Sequence, residues 1–235
     1  LPRPHRKQEA WRYTSLDALL KTEFAPPPQT LTAYEQAASD WVIDRKDSYR
    51  LLFINGRLQP DFNNIALRER GVQLGSLRAT LTTHPQLVSS WFGQTQATAS
   101  NVFAALNTAL INDGLLLHVP RDIQLDKPIE VIYASIGEDQ PLASQLRNLV
   151  VLEAGAEATL VERFVCPGAF SYLNNSVSEV LVEDGARLPL VDAPAAARYA
   201  LGAVTLERDE HAVWLVLPVQ DELGALGFLA ARGQT

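Results

Sequence analysis

One thiol and four histidines are the chain's whole stock of soft metal ligands and imidazole bases. A metal–sulfur cluster takes several thiolates, so the lone Cys166, beside Pro167-Gly168 in an expected turn, reads as a surface or half-buried cysteine. His84, His118 and His211 stand far apart, and neither CxxC nor HxxxH spacing occurs, which argues against a preformed zinc site. His118 falls within an apolar run and reads as a core or interface histidine; His211 falls in an acidic turn. Asp113-Gly114, Asp184-Gly185 and the run from Glu153 to Glu157 suggest calcium turns but lack the repeated aspartates of a nonapeptide calcium motif. The glycines from Gly224 to Gly233 have no strand–GxGxxG–helix context. No GxSxG elbow is present, and no spacing supports a carboxylate pair for glycoside chemistry. Trp11-Arg-Tyr13 reads as an aromatic anchor for the N-terminal arm. The residues therefore nominate no catalytic, cofactor-binding or metal site.

The elements that would position such residues change character along the chain. Thr14-Ser-Leu-Asp17 suits a capped helix start before Ala18-Leu-Leu20, and Pro26-Pro-Pro28 stops that helix. Leu31, Tyr34, Ala38, Trp41 and Val42 give residues 31–43 one apolar helical face. Tyr49-Arg-Leu-Leu-Phe-Ile54 followed by Asn55-Gly56 predicts a strand and a hairpin turn. Val72, Leu74 and Leu77 predict a strand and a turn. Residues 86–112 predict a helix, with Ala99, Phe103, Leu106, Leu110 and Ile111 on one face and Asn112-Asp-Gly114 as its stop.

From Leu115 the pattern is of strands, at 115–119, 128–133, 146–152, 158–165, 177–182, 188–191, 203–206 and 213–217. Several are apolar at successive positions, as strands covered on both faces are. Three acidic turns closed by an alanine recur among them: Glu153-Ala-Gly-Ala-Glu-Ala158, Glu183-Asp-Gly-Ala-Arg-Leu188 and Glu207-Arg-Asp-Glu-His-Ala212. Their marker alanines, Ala156, Ala186 and Ala212, lie 30 and 26 residues apart. Repeats at roughly 20–50 residues are the mark of a stacked array, so a parallel β-helix is the predicted core, with a jelly roll or sandwich as the rival. The expected layout is an α-helical and hairpin region over 1–113 and a β-helix core over 114–235.

Composition narrows the function classes. Net charge is −7 and pI about 5.1, a poor match for a nucleic-acid partner, which asks for a basic patch. The N-terminal cluster Arg3, His5, Arg6, Lys7 and Arg12 reads as a solvated arm. A single cysteine, no run of about 18 apolar residues and no apolar leader fit a reducing, cytoplasmic setting without a membrane span. The chain has no methionine, not even an initiator, so a processed, trimmed or re-engineered piece of something longer is expected.

An ordered set of motifs carries a family resemblance. Leu1-Pro-Arg-Pro-His-Arg-Lys-Gln-Glu-Ala-Trp-Arg-Tyr-Thr-Ser-Leu16 resembles the opening of SufD-type members of the SufB/SufD family, which assemble iron–sulfur clusters. Leu51-Leu-Phe-Ile-Asn-Gly-Arg57, Phe103-Ala-Ala-Leu-Asn-Thr-Ala109 with Asp113-Gly114, and His118-Val-Pro120 through Leu125-Asp-Lys-Pro-Ile129 follow in the family's order. Glu153-Ala-Gly-Ala-Glu-Ala-Thr-Leu-Val-Glu-Arg-Phe164 is similar to the start of its β-helix core. The likeness covers residues 1–190 well and 191–217 loosely.

The resemblance implies a right-handed parallel β-helix after an α-helical region. It also implies a non-catalytic cytosolic scaffold that works with SufB and the ATPase SufC. Family members are longer, with a C-terminal helical domain that docks SufC and late cysteine and histidine positions without counterparts here, so no ligand residues are carried over. The implied partners are SufB and SufC homologues, with SufC docking lost, and self-association through the open end of the β-helix. A tail folded over that edge, with Trp214 covered, is the other expectation. A β-helix carbohydrate-binding or carbohydrate-active protein is the alternative function.

Overall fold

In a computed structural model of the chain the described residues are 16–27, 48–60, 65–92, 102–136, 140–165 and 172–192, together with the backbone of four strands between 204 and 225. The arm with Trp11-Arg-Tyr13, the helix expected over 31–43, Cys166 and the side chains of His211 and Trp214 lie outside them.

The short helix α1 (Asp17–Lys21) precedes β1 (Tyr49–Ile54) and β2 (Arg57–Leu58). The Asn-Gly signal works as expected between the two strands, with Asn55 at φ 47° and Gly56 at φ 75°. Then come α2 (Ile65–Glu69), β3 (Gln73–Ser76), α3 (Leu77–Thr83), α4 (Pro85–Ser89) and α5 (Val102–Leu110). Leu77 begins a helix where a turn was expected, because Ser76 accepts the Ala79 N–H at 2.9 Å and caps it. The helix expected over 86–112 is described only as α4 and α5.

Beyond Gly114 the strands are β4 (Leu115–Val119), β5 (Ile129–Ala134), β6 (Leu142–Leu152), β7 (Leu160–Val165), β8 (Tyr172–Val182) and β9 (Arg187–Asp192). The last four are β10 (Val204–Glu207), β11 (His211–Val216), β12 (Val219–Asp221) and β13 (Gly224–Ala225). They build two sheets. One runs β10-β9-β7-β5-β1-β2, the other β13-β12-β8-β6-β4-β3, with β11 also on β8. Leu51, Phe53, Val131, Tyr133 and Leu160 from the first sheet share one buried core with Leu117, Leu146, Val150, Val180 and Val182 from the second. Helices α3 and α5 lie against the second sheet.

The mainly β character stands, but the expected right-handed parallel β-helix does not form. Such a solenoid repeats one parallel step coil after coil. Here both sheets are mixed. Parallel pairing joins β1, β5, β7 and β9 in one and β4, β6 and β8 in the other. Antiparallel strands flank these: β2 and β10 in the first sheet, β3, β11 and β12 in the second, with β13 antiparallel to β12.

The acidic repeats show the physical reason. The first two turns stack, with Ala156 and Ala186 buried and the Gly155 N–H bonded to the Asp184 carbonyl at 3.0 Å. Both need a left-handed residue, supplied by Gly155 at φ 72° and Gly185 at φ 71°. The third repeat has no glycine, and its marker Ala212 lies in β11, antiparallel to β8 and opposite Val180.

Candidate functional site

The structure does not gather the residues that the sequence nominated. His84 is exposed between α3 and α4, its Nδ1 2.9 Å from Thr83 Oγ1. Asp113 is a structural hub: Oδ1 accepts from Ser76 Oγ at 2.7 Å and from the N–H groups of Gly114 and Arg78, and Oδ2 from the Leu58 N–H. A carboxylate so ringed by donors is no cation ligand. Glu183 accepts the Ala154 N–H at 3.0 Å, so this acidic-turn carboxylate also serves the backbone.

His118 is buried on β4, with Nε2 2.9 Å from Glu153 Oε1 and the Trp91 ring tilted against it at 4.8 Å. Its Nδ1 has no partner. The hydrogen bond with His118 holds the Glu153 carboxyl below the usual range; burial opposes this and the Arg121 N–H adds to it. Among the described residues no group of three or more His, Cys, Asp or Glu is placed to hold a metal ion.

The strongest concentration of buried polar chemistry lies where α5 meets β6 and β8. Arg147 and Glu179 form an ion pair with side chains 2% and 0% exposed, through Arg147 Nε to Glu179 Oε1 at 2.8 Å and a second contact from Nη2. The Phe92 ring lies 5.3 Å from the guanidinium carbon. Long bonds run from Arg147 Nη1 to Thr108 Oγ1 at 3.4 Å and Asn107 Oδ1 at 3.5 Å. Asn107 donates to the carbonyls of Leu146 at 2.7 Å and Asn175 at 2.9 Å, so one α5 side chain ties two strands together. Asn175 returns a bond to the Phe103 carbonyl at 2.9 Å and another to Gln145 Oε1 at 2.7 Å. Gly114 lets the chain entering β4 approach β6 closely, since a Cβ there would stand 1.7 Å from the Arg147 carbonyl oxygen.

A second cluster sits between the sheets. Tyr133 Oη donates to Glu162 Oε1 at 3.1 Å, and Asn148 Nδ2 reaches Ser178 Oγ at 3.0 Å, with longer contacts to Ser176 and Glu162. Asn148 Oδ1 accepts the Leu115 N–H at 2.9 Å. On the opposite face of the first sheet Glu130 lies in register with Arg50, two positions out of step with Arg163, and binds both, at 2.6 Å and 2.9 Å. Burial alone would push Glu130 up; the hydrogen bonds and charges of Arg163 and Arg50 overrule it and hold the carboxyl below the usual range.

These groups share a chemical character. Each carboxylate is matched to a cation, hydroxyl or amide, and each amide spans neighbouring strands. Asn175 Oδ1 is the exception, buried with no partner; the matched groups around it specify one packing, so their work is to hold α5 and the sheets in a fixed geometry. Sequence reasoning missed Arg147, Glu179 and Asn107. The available signal was a charge inside each of two runs read as doubly covered strands. The β6–β8 register, in which residues 30 apart pair, sets Arg147 and Glu179 two positions out of step and within reach of one another.

Residues 2–131 match the family described as SufBD protein N-terminal region. An iron–sulfur cluster assembly SufBD family protein of Synechocystis sp. is 26% identical over 196 residues, which cover 79% of this chain and 42% of that protein. Proteins of the same description from Staphylococcus haemolyticus and Staphylococcus aureus are each 28% identical over 123 residues, 52% of this chain and 26% of theirs. The chain spans less than half the length of these relatives.

Proposed function

The chain belongs to the SufBD family of iron–sulfur cluster assembly proteins, and we propose on that premise that it is a non-catalytic scaffold component of a SufBCD-type complex. The family match across residues 2–131 carries this reading. The network of Asn107, Arg147, Glu179 and Asn175 supports it: these groups hold a helix and two strands in fixed relation, as a scaffold requires. Its partners in this reading are SufB-type and SufC-type chains, and its compartment is the cytoplasm. Among the described residues no helix is long and apolar enough to cross a membrane. Iron and sulfide reach a target through the assembled complex, as cargo, and not through a cluster that this chain holds alone.

Anaerobic reconstitution of the isolated chain, with bound iron and sulfide quantified, tests the non-catalytic part. No stoichiometric cluster and no turnover are expected. A stoichiometric cluster lost in Cys166→Ser overturns it.

A further inference from the structure

Just past α4 the chain carries two neighbouring rings, and each lies on a nitrogen base that is bound to a carboxylate. Phe92 has its ring 5.3 Å from the guanidinium carbon of Arg147, which pairs with Glu179. Trp91 has its ring 4.8 Å from the imidazole of His118, whose Nε2 is 2.9 Å from Glu153 Oε1. Both bases stand on the outer face of the second sheet, since His118 pairs with Val151 on β6, an even step from Arg147 along that strand. Both rings pack there on Val88, Leu116, Leu149 and Val151, so they cover this face. One order of layers thus occurs twice: ring, base, acid. The bases differ in one respect. Arginine keeps its charge at every pH that a protein meets, whereas histidine changes charge near neutrality.

We propose that His118 is a proton-operated clamp on this cover: protonated, it holds the segment from α4 to Phe92 against the sheet, and neutral, it lets that segment loosen. The imidazolium meets the Trp91 ring as a cation, within the roughly 6 Å at which such contacts are favourable. It also turns the bond to Glu153 into one charged on both sides, the stronger kind. The Glu153 carboxyl is ready for this, held below the usual range first by that same hydrogen bond. Nδ1, buried without a partner, gains a proton on charging and then needs an acceptor. Gln73 is placed to supply one: it stands opposite His118 in the antiparallel β3–β4 pair, on the same face. The other charges of the neighbouring elements are spoken for or solvated. Arg121, whose N–H binds Glu153, has its guanidinium 64% exposed and 4.0 Å from Glu183. Arg78 on α3 and His84 before α4 are exposed, and α4 itself has no charged residue. The clamp does not depend on the proposed function.

Hydrogen exchange of the amides of residues 86–92, corrected for the intrinsic pH dependence of exchange, reads the opening of the cover. It is measured at pH of about 5.5 and about 8, either side of the ordinary histidine range. In the wild-type chain protection should be about twofold to thirtyfold higher at the lower pH, the fold-change that a partly desolvated cation–π contact gives. His118→Gln, which keeps a donor for Glu153 but does not titrate, should make protection equal at the two pH values. His84→Gln should leave the difference intact. Glu153→Gln and Gln73→Leu each remove one acceptor of the imidazolium and should each narrow it. Equal protection at both pH values in the wild type, or greater protection at the higher one, overturns the proposal. So does a difference that survives His118→Gln or disappears in His84→Gln. A difference unchanged in both Glu153→Gln and Gln73→Leu also overturns it, and decides the matter if His118→Gln does not fold.

Discussion

Replacing Glu179 by Gln strips the partner charge from a guanidinium that has nowhere else to go. Arg147 is 2% exposed in its side chain, its remaining polar contacts to Asn107 and Thr108 are 3.5 Å and 3.4 Å long, and Phe92 covers it. Breaking a buried pair from one side costs about 3–5 kcal/mol, a fifth or more of the roughly 5–15 kcal/mol that holds a domain folded. For a chain of this size each kcal/mol moves the melting temperature by about 2–4 °C, so Glu179→Gln should melt about 6–20 °C lower. Arg147→Met should cost a similar amount by taking the cation away from a buried carboxylate. The double change Arg147→Met with Glu179→Leu removes both charges and should recover most of the loss, since apolar replacement of a whole pair is often neutral. Urea denaturation followed by circular dichroism on all four proteins closes the cycle. Two single variants that each cost under about 1 kcal/mol, the range of solvated pairs, or a double variant whose loss is their sum, would refute the argument.

Gly114→Ala should be among the most damaging single changes, beyond about 4 kcal/mol, because its Cβ would meet the Arg147 carbonyl at 1.7 Å and that backbone cannot yield; soluble yield and melting report it. The stacked turns separate strain from clash. Gly185→Ala meets open space and should cost only the left-handed backbone penalty of about 1 kcal/mol. Gly155→Ala also meets Asp122 Oδ1 at 2.4 Å, the tip of an exposed side chain that can swing aside, and should cost only slightly more; a far larger loss on denaturation would contradict the geometry. The third test is of pH. Glu130 has its folded pKa depressed, so its contribution is fully present above the ordinary glutamate value of about 4.3 and fades as pH falls through the lower folded value. The stability gap between wild type and Glu130→Gln should therefore shrink on acidification below pH of about 4. A gap that does not change with pH would show that the Arg50–Glu130–Arg163 ladder stabilises by packing alone.

What was legible in the sequence was local. Asn55-Gly56 announces its turn because both residues accept positive φ, and the doubly apolar runs announce buried strands because burial selects them residue by residue. Ala156 and Ala186 mark stacked turns for the same reason: a small residue is needed where one turn lies on the next. The larger architecture was misread because the third turn shares the acidic composition of the first two but not their glycine, and composition does not fix strand direction. Ser76 was missed as a helix cap because its effect depends on one hydroxyl meeting one backbone N–H. The Arg147–Glu179 pair was hidden by register: nothing near Arg147 in the chain shows that a carboxylate 32 residues away will lie beside it.

Capture of partner chains tests the scaffold claim most directly. The tagged chain, expressed in its host and purified anaerobically, should bring down SufB-type or SufC-type proteins in fixed proportion, identified by mass spectrometry of the eluted complex. A chain that elutes without either, or that carries polysaccharide instead, would contradict the account.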